Sequence, residues 1–139
     1  MIIRKATAKD TPALEILFQL IRQSTFTLRS SDEFQIGDYQ KSTAEDEVWV
    51  AEKIGEIVGC VSTYPFDKFI HNLFVHPKYQ GQGIGSELLK IAEQNLSRPM
   101  TLKIAMDNLK VCSFYEKYGW YKASAHNDME EPYVLYRKD

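Results

Sequence analysis

Three of the chain's seven glycines, Gly81, Gly83 and Gly85, fall within five residues, between an apolar run ending at Val75 and an amphipathic stretch that starts at Ile84. No other feature limits the fold so strongly. Glycine admits left-handed dihedrals and lets backbone approach a ligand closely, and a helix that follows presents free N–H groups and the positive end of its dipole. A strand, a glycine loop and a helix in that order describe a backbone cradle for an anion such as phosphate. They also require a helix to pack on a sheet.

A chain of 139 residues, 44% hydrophobic and 26% charged, suits one globular domain spanning 1–139. Its net charge of −2 supplies no general attraction for nucleic acid or an anionic membrane, so any phosphate contact must be local. No long uncharged run suits a membrane span. The first residues, with Arg4, Lys5, Lys9 and Asp10 close together, lack the apolar region of a signal peptide, and the expected location is cytoplasmic. Cys60 and Cys112 form no CxxC pair and have no histidine at zinc-site spacing; they read as reduced, partly buried thiols, and no metal site is expected.

Met1 to Lys5 suits a short strand, and Asp10 with Pro12 reads as a cap and early proline of a helix carrying Leu14, Leu17, Phe18 and Ile21 at helical spacing. Ser30 with Glu33 offers a capping box for a second, short helix. Val48 to Lys53 and Glu56 to Tyr64 flank Ile54-Gly55 as an antiparallel hairpin, in which Trp49 should meet a helix. A strand from Phe69 to Val75 stops at Pro77. Ile84, Leu88, Leu89, Ile91 and Ala92 form the apolar stripe of the helix leaving the glycine loop. A strand from Met100 to Met106, a helix from Leu109 to Tyr118 stopped by Gly119, and strands around Trp120 to Ser124 and Tyr133 to Arg137 complete the chain. This order predicts an α/β or α+β domain with a mixed central sheet.

Three glycine-loop readings compete. A P-loop needs Lys and then Ser or Thr after its last glycine, but Gly85 is followed by Ser86 and Glu87. A dinucleotide fingerprint needs glycine at its sixth place, directly after a strand; Ser86 stands there, and Val75 lies five residues before Gln80. The remaining pattern, Gln80-x-x-Gly83-x-Gly85 after Leu73-Phe74-Val75-His76-Pro77, resembles the acetyl-CoA site of the GNAT N-acetyltransferase family. A second motif agrees: Asn108-Leu109-Lys110-Val111-Cys112-Ser113-Phe114-Tyr115-Glu116-Lys117-Tyr118-Gly119-Trp120 is similar to the family's Asn…Phe-Tyr-x-Lys-x-Gly-Phe segment. Val111 stands where alanine is usual, and Trp120 where phenylalanine is.

The resemblance implies a mixed, mostly antiparallel sheet of about six or seven strands, flanked by about four helices. In it the fourth strand, Phe69 to Val75, splays from the fifth, Met100 to Met106, and the pantetheine arm of acetyl-CoA lies in the gap. Backbone groups along Leu73, Phe74 and Val75 would pair with pantetheine amides. The N–H groups of Gln80, Gly81, Gln82, Gly83, Ile84, Gly85 and Ser86 would hold the pyrophosphate. Gln80 and Gln82 read equally as solvated loop residues.

Acetyl transfer needs a neutral amine, a polarised thioester carbonyl and a proton for the departing thiolate. An amine with a pKa of about 10.4 costs roughly 4.6 kcal/mol to deprotonate at pH 7. His71 is a candidate base: period-two alternation puts it on one face with Phe69, Leu73 and Val75, and arylalkylamine acetyltransferases resemble this chain in carrying histidine there. A strand histidine donating to a neighbour explains it too. The family places a tyrosine at Tyr115 to protonate the thiolate, whereas the residues alone suggest core packing of Phe114 and Tyr115. Asn108 would cap its helix and position the cofactor. His76 and His126 read as loop residues.

The acceptor implied is a primary amine, of a small molecule or of a lysine or N-terminus in a peptide, with direct transfer in a ternary complex. Tyr64, Phe66 and Asp67, with Asp128, Glu130 and Glu131 on another side, would form an aromatic and acidic entrance suited to a cation, while the second group reads first as a solvated acidic loop. A homodimer through the last strands follows from family habit. Transfer of another acyl group, or an acyl-CoA-binding regulatory module with little turnover, stands as the alternative.

Overall fold

The computed structural model describes residues 1–25, 40, 43–128 and 132–139. Seven strands, β1 (Ile2–Lys5), β2 (Glu47–Lys53), β3 (Glu56–Tyr64), β4 (Phe69–Val75), β5 (Met100–Ala105), β6 (Tyr121–His126) and β7 (Tyr133–Lys138), form one sheet in the order β1-β2-β3-β4-β5-β7-β6. Only β4 and β5 run parallel; every other neighbour pair is antiparallel. Three α-helices stand among the described residues: α1 (Thr11–Thr25), α2 (Ile84–Asn95) and α3 (Leu109–Lys117). The short helix expected at Ser30 to Glu33 lies outside them.

Alternation along β2 divides the apolar residues between the two sheet faces. Val50 meets Leu14, Leu17, Phe18 and Ile21 of α1 together with Cys60 and Phe74. Its neighbours Trp49 and Ala51 join the larger cluster, which holds Ile84, Leu88, Leu89 and Ala92 of α2, Cys112 and Tyr115 of α3, and the inner residues of β5 and β7. Trp49 thus lies in the cluster that α2 also enters. Gly59 lets α2 come this close: a Cβ there would lie 3.0 Å from the Phe74 carbonyl oxygen and 3.2 Å from Cδ1 of Leu88.

The β2–β3 hairpin turns on Ile54 and Gly55, both at positive φ (51° and 76°), the geometry of a two-residue hairpin loop. Asp10 does not cap α1. It ends a 3-10 turn, Ala8–Asp10, and its carboxylate turns back to accept the Thr7 N–H at 2.8 Å and a two-pronged contact from Arg4 at 2.8 and 2.9 Å. His126 is no loop residue. It ends β6 opposite Tyr133, with the two rings stacked at 4.5 Å.

The ladder between β3 and β4 is irregular at one point. Ser62 pairs with Asn72 and the next residue of β3, Thr63, with Ile70, so His71 is an extra residue in β4. Such a bulge flips the side-chain alternation. Ile70, Leu73 and Val75 therefore share the α2 and α3 side, while Phe74 faces α1. The single face expected for Phe69, His71, Leu73 and Val75 is broken at His71.

Candidate active site

β4 and β5 pair only at Phe69 with Thr101 and Ile70 with Leu102. Beyond those two residues the strands part, and β5 continues its pairing with β7 through Ala105. The parting begins at the bulged His71. From there the edge of β4 that faces β5 carries backbone groups with no neighbouring strand.

The glycine loop sits at the open end of this gap. Gly81 and Gly83 take positive φ (82° and 84°), conformations that cost a residue with a side chain, and Gly83 caps α2. The first backbone bond into the helix is from the Glu87 N–H to the Gly83 carbonyl at 3.2 Å. Among the described residues the N–H groups from Gly83 to Ser86 precede the first bond into the helix, which leaves a row of donors at its positive end. The polar side chains of the loop bond to the protein itself. Gln80 Nε2 donates to the Val75 carbonyl at 3.1 Å, Ser86 Oγ donates to the Gly83 carbonyl at 2.9 Å, Gln82 Oε1 accepts from Lys53 Nζ at 2.7 Å, and Ile84 is in the core.

Gly85 joins this loop to the downstream motif. A Cβ there would lie 3.6 Å from Cζ of Phe114 and 3.8 Å from Cγ2 of Val75, so the helix start, the end of β4 and α3 meet at one point. Behind Phe114, Tyr115 is buried between two aromatic neighbours in edge contact, Phe114 at 5.1 Å and Trp120 at 5.8 Å. Burial pushes its phenol well above the ordinary value, so it stays protonated. Asn108 caps α3, its Oδ1 accepting the Val111 N–H at 3.4 Å. Cys60 is fully buried, and the same cause pushes its thiol up, which removes it as a nucleophile.

At the bulge, His71 is exposed and its Nδ1 lies 2.9 Å from Oδ2 of Asp46, a carboxylate only 4% exposed. The Phe69 ring is 6.0 Å away. Tyr64 and Phe66 stand 6.1 Å apart at the other end of the β3–β4 connection. The Tyr64 phenol is raised, first by desolvation and then by the charges of Glu45 and Asp67, which marks this corner as acidic. Asp128 is exposed; Glu130 and Glu131 lie outside the described residues.

The acetyltransferase (GNAT) family model matches residues 14–120. The chain belongs to this family. As an acetyltransferase it is an acyl-transfer enzyme by fold and sequence alike. Solved structures agree on the fold. N-acetyltransferase PaiA from Thermoplasma acidophilum, in complex with coenzyme A, superposes with a TM-score of 0.82 at 18% identity, covering 99% of this chain and 98% of that one. Ribosomal-protein-alanine N-acetyltransferase from Brucella melitensis gives 0.73 at 21% identity, covering 99% of both chains. Arabidopsis thaliana Naa50, in complex with the bisubstrate analogue CoA-Ac-MVNAL, gives 0.73 at 21% identity, covering 99% and 97%. A comparison with curated protein sequences finds no match.

Within this GNAT fold Val75, Gly85 and Phe114 meet where the glycine loop joins the end of β4, Leu73 packs on the same core, and Tyr115 lies behind Phe114. Phe74 is there through its backbone alone, since its ring packs under α1 against Phe18 at 5.8 Å. Two residues escaped the sequence reading. Asp46 at His71 was legible in principle, because the hairpin register places residue 46 one step before Glu47, opposite the end of β3. Lys53 at Gln82 joins residues 29 apart and carried no local signal. Among the described residues no helix is long and apolar enough to cross a membrane.

Proposed function

We propose that this chain transfers the acetyl group of acetyl-CoA directly to a primary amine bound beside it. The observation that carries the reading is the alignment of the β4–β5 gap with the glycine loop. The edge of Leu73 to Val75 on the β5 side faces no strand and leads to a helix start whose first N–H groups have no partner within the helix, which suits a thioester arm ending in a pyrophosphate. The Val75 carbonyl now accepts from Gln80, and a pantetheine amide taking that oxygen would replace this bond.

The protons divide between two groups, His71 on β4 and Tyr115 on α3. The acceptor arrives as an ammonium with three protons: one stays on the amide, one leaves through His71 to solvent, and one replaces the proton that Tyr115 gives the departing sulfur. A buried phenol is a weak acid, yet the same dry surroundings disfavour the thiolate, so the transfer between them is not penalised by burial alone. Asn108 holds the start of α3 and with it the position of Tyr115. A backbone N–H on the splayed part of β4 would face the thioester oxygen.

The acceptor is a small amine or the amine of a peptide. Tyr64, Phe66 and Asp67, with Glu45 beside Tyr64, favour one that carries positive charge. Thiol release from acetyl-CoA, followed with small amines and with peptides bearing free N-termini or lysines, tests the assignment. Release that depends on an amine is expected. Binding of acetyl-CoA with no release for any acceptor would overturn it.

A further inference from the structure

Among the described residues His71 has one hydrogen-bond partner. Its Nδ1 meets the Asp46 carboxylate at 2.9 Å, and that carboxylate, 4% exposed, sits at the end of a tight turn in which the Asp46 N–H donates to the Thr43 carbonyl at 2.9 Å. The imidazole itself is 40% exposed. A buried carboxylate beside an exposed ring is an uneven pair. A deprotonated carboxylate only accepts hydrogen bonds, so the shared proton belongs to Nδ1 of the neutral ring and Nε2 is left with its lone pair.

We infer that Asp46 is the positioning residue of this acetyltransferase: it fixes the His71 tautomer and ring orientation so that Nε2 is the atom that takes the acceptor's proton. The inference rests on the reading of His71 as general base and adds the group that makes it one. The bulge explains why the pairing occurs here. The extra residue in β4 interrupts the ladder at His71, where the β4–β5 gap opens, and the carboxylate from the start of β2 reaches the same spot. When Nε2 gains the proton, the carboxylate stabilises the resulting imidazolium, and loss of that proton to solvent restores the pair.

Asp46→Asn tests it. The asparagine amide donates to Nδ1, moves the ring proton to Nε2 and removes the basic lone pair. Turnover should fall by about 10²-fold or more with the KM for acetyl-CoA unchanged. Ring-nitrogen chemical shifts, recorded in histidine-labelled protein at a pH where the ring is neutral, should show Nδ1–H in the native chain and Nε2–H in the variant. Native protein with Nε2–H at His71 overturns the inference without any variant. His71→Gln separates the two levels. If it lowers turnover while Asp46→Asn does not, Asp46 has no positioning role and the base assignment stands; if neither substitution matters, the base assignment falls and takes the inference with it.

Discussion

Gly59 lies directly under Leu88: a Cβ at Gly59 would come within 3.2 Å of Leu88 Cδ1 and 3.0 Å of the Phe74 carbonyl oxygen. The leucine end can shift, but the carbonyl belongs to β4 and cannot. Gly59→Ala should therefore strain the β3–β4 pairing, loosen α2 where Leu88 must move aside, and destabilise the protein by about 1–3 kcal/mol. Because α2 carries the loop donors, CoA binding should weaken as well. Denaturant midpoints and calorimetric titration with CoA measure the two effects; an unchanged midpoint would show that the helix does not rest on this glycine.

Gln80 closes the end of β4 through its amide nitrogen, and a carboxylate at the same place can neither donate to the Val75 carbonyl nor tolerate a neighbouring anion. Gln80→Glu is expected to weaken CoA binding roughly tenfold, about 1.4 kcal/mol, with part of the loss relieved by added salt. Equal affinity for the variant at low salt would place the pyrophosphate elsewhere.

Tyr115 is buried and rigidly packed, so Tyr115→Phe deletes one oxygen while keeping the aromatic contacts with Phe114 and Trp120. Turnover should drop about 10²-fold with acetyl-CoA affinity retained. A variant as fast as the native enzyme across the accessible pH range would return Tyr115 to a purely structural role.

The Arg4 guanidinium, and then the Thr7 N–H, hold the Asp10 carboxyl down from its ordinary 3.8 to about 2. A group depressed in the folded state stabilises it above the unfolded value and loses that contribution as the pH falls through the folded one. Up to about 2 kcal/mol should therefore disappear between pH 3.8 and about 2, since the pair is well shielded on the Asp10 side. Thermal melts of the native chain and Asp10→Asn across this range should converge at the acid end. Parallel curves would deny Asp10 a special share in acid stability.

Much of this protein was written in short stretches of sequence. Gly81, Gly83 and Gly85 require a loop of unusual dihedrals, the stripe from Ile84 to Ala92 requires a buried helix face, and Ile54-Gly55 requires a hairpin; each depends on forces acting within a few residues. Asn108 to Trp120 likewise carried its own cap and stop. These local elements, in their order, specified a mixed sheet with a crossover helix and a glycine loop at that helix's start. Tertiary packing decided the rest. The bulge at His71 exists because β4 must present Phe74 to α1 and Ile70, Leu73 and Val75 to α2 and α3, a demand no strict alternation can meet. That same bulge broke the predicted face of His71 and set it against Asp46, 25 residues away. His126 reads as a loop residue because its pairing with Tyr133 of β7 is a tertiary contact that periodicity does not report. Local propensity fixes which segments are strands and helices; burying both faces of one sheet fixes which side chains meet, and the chemistry depends on those meetings.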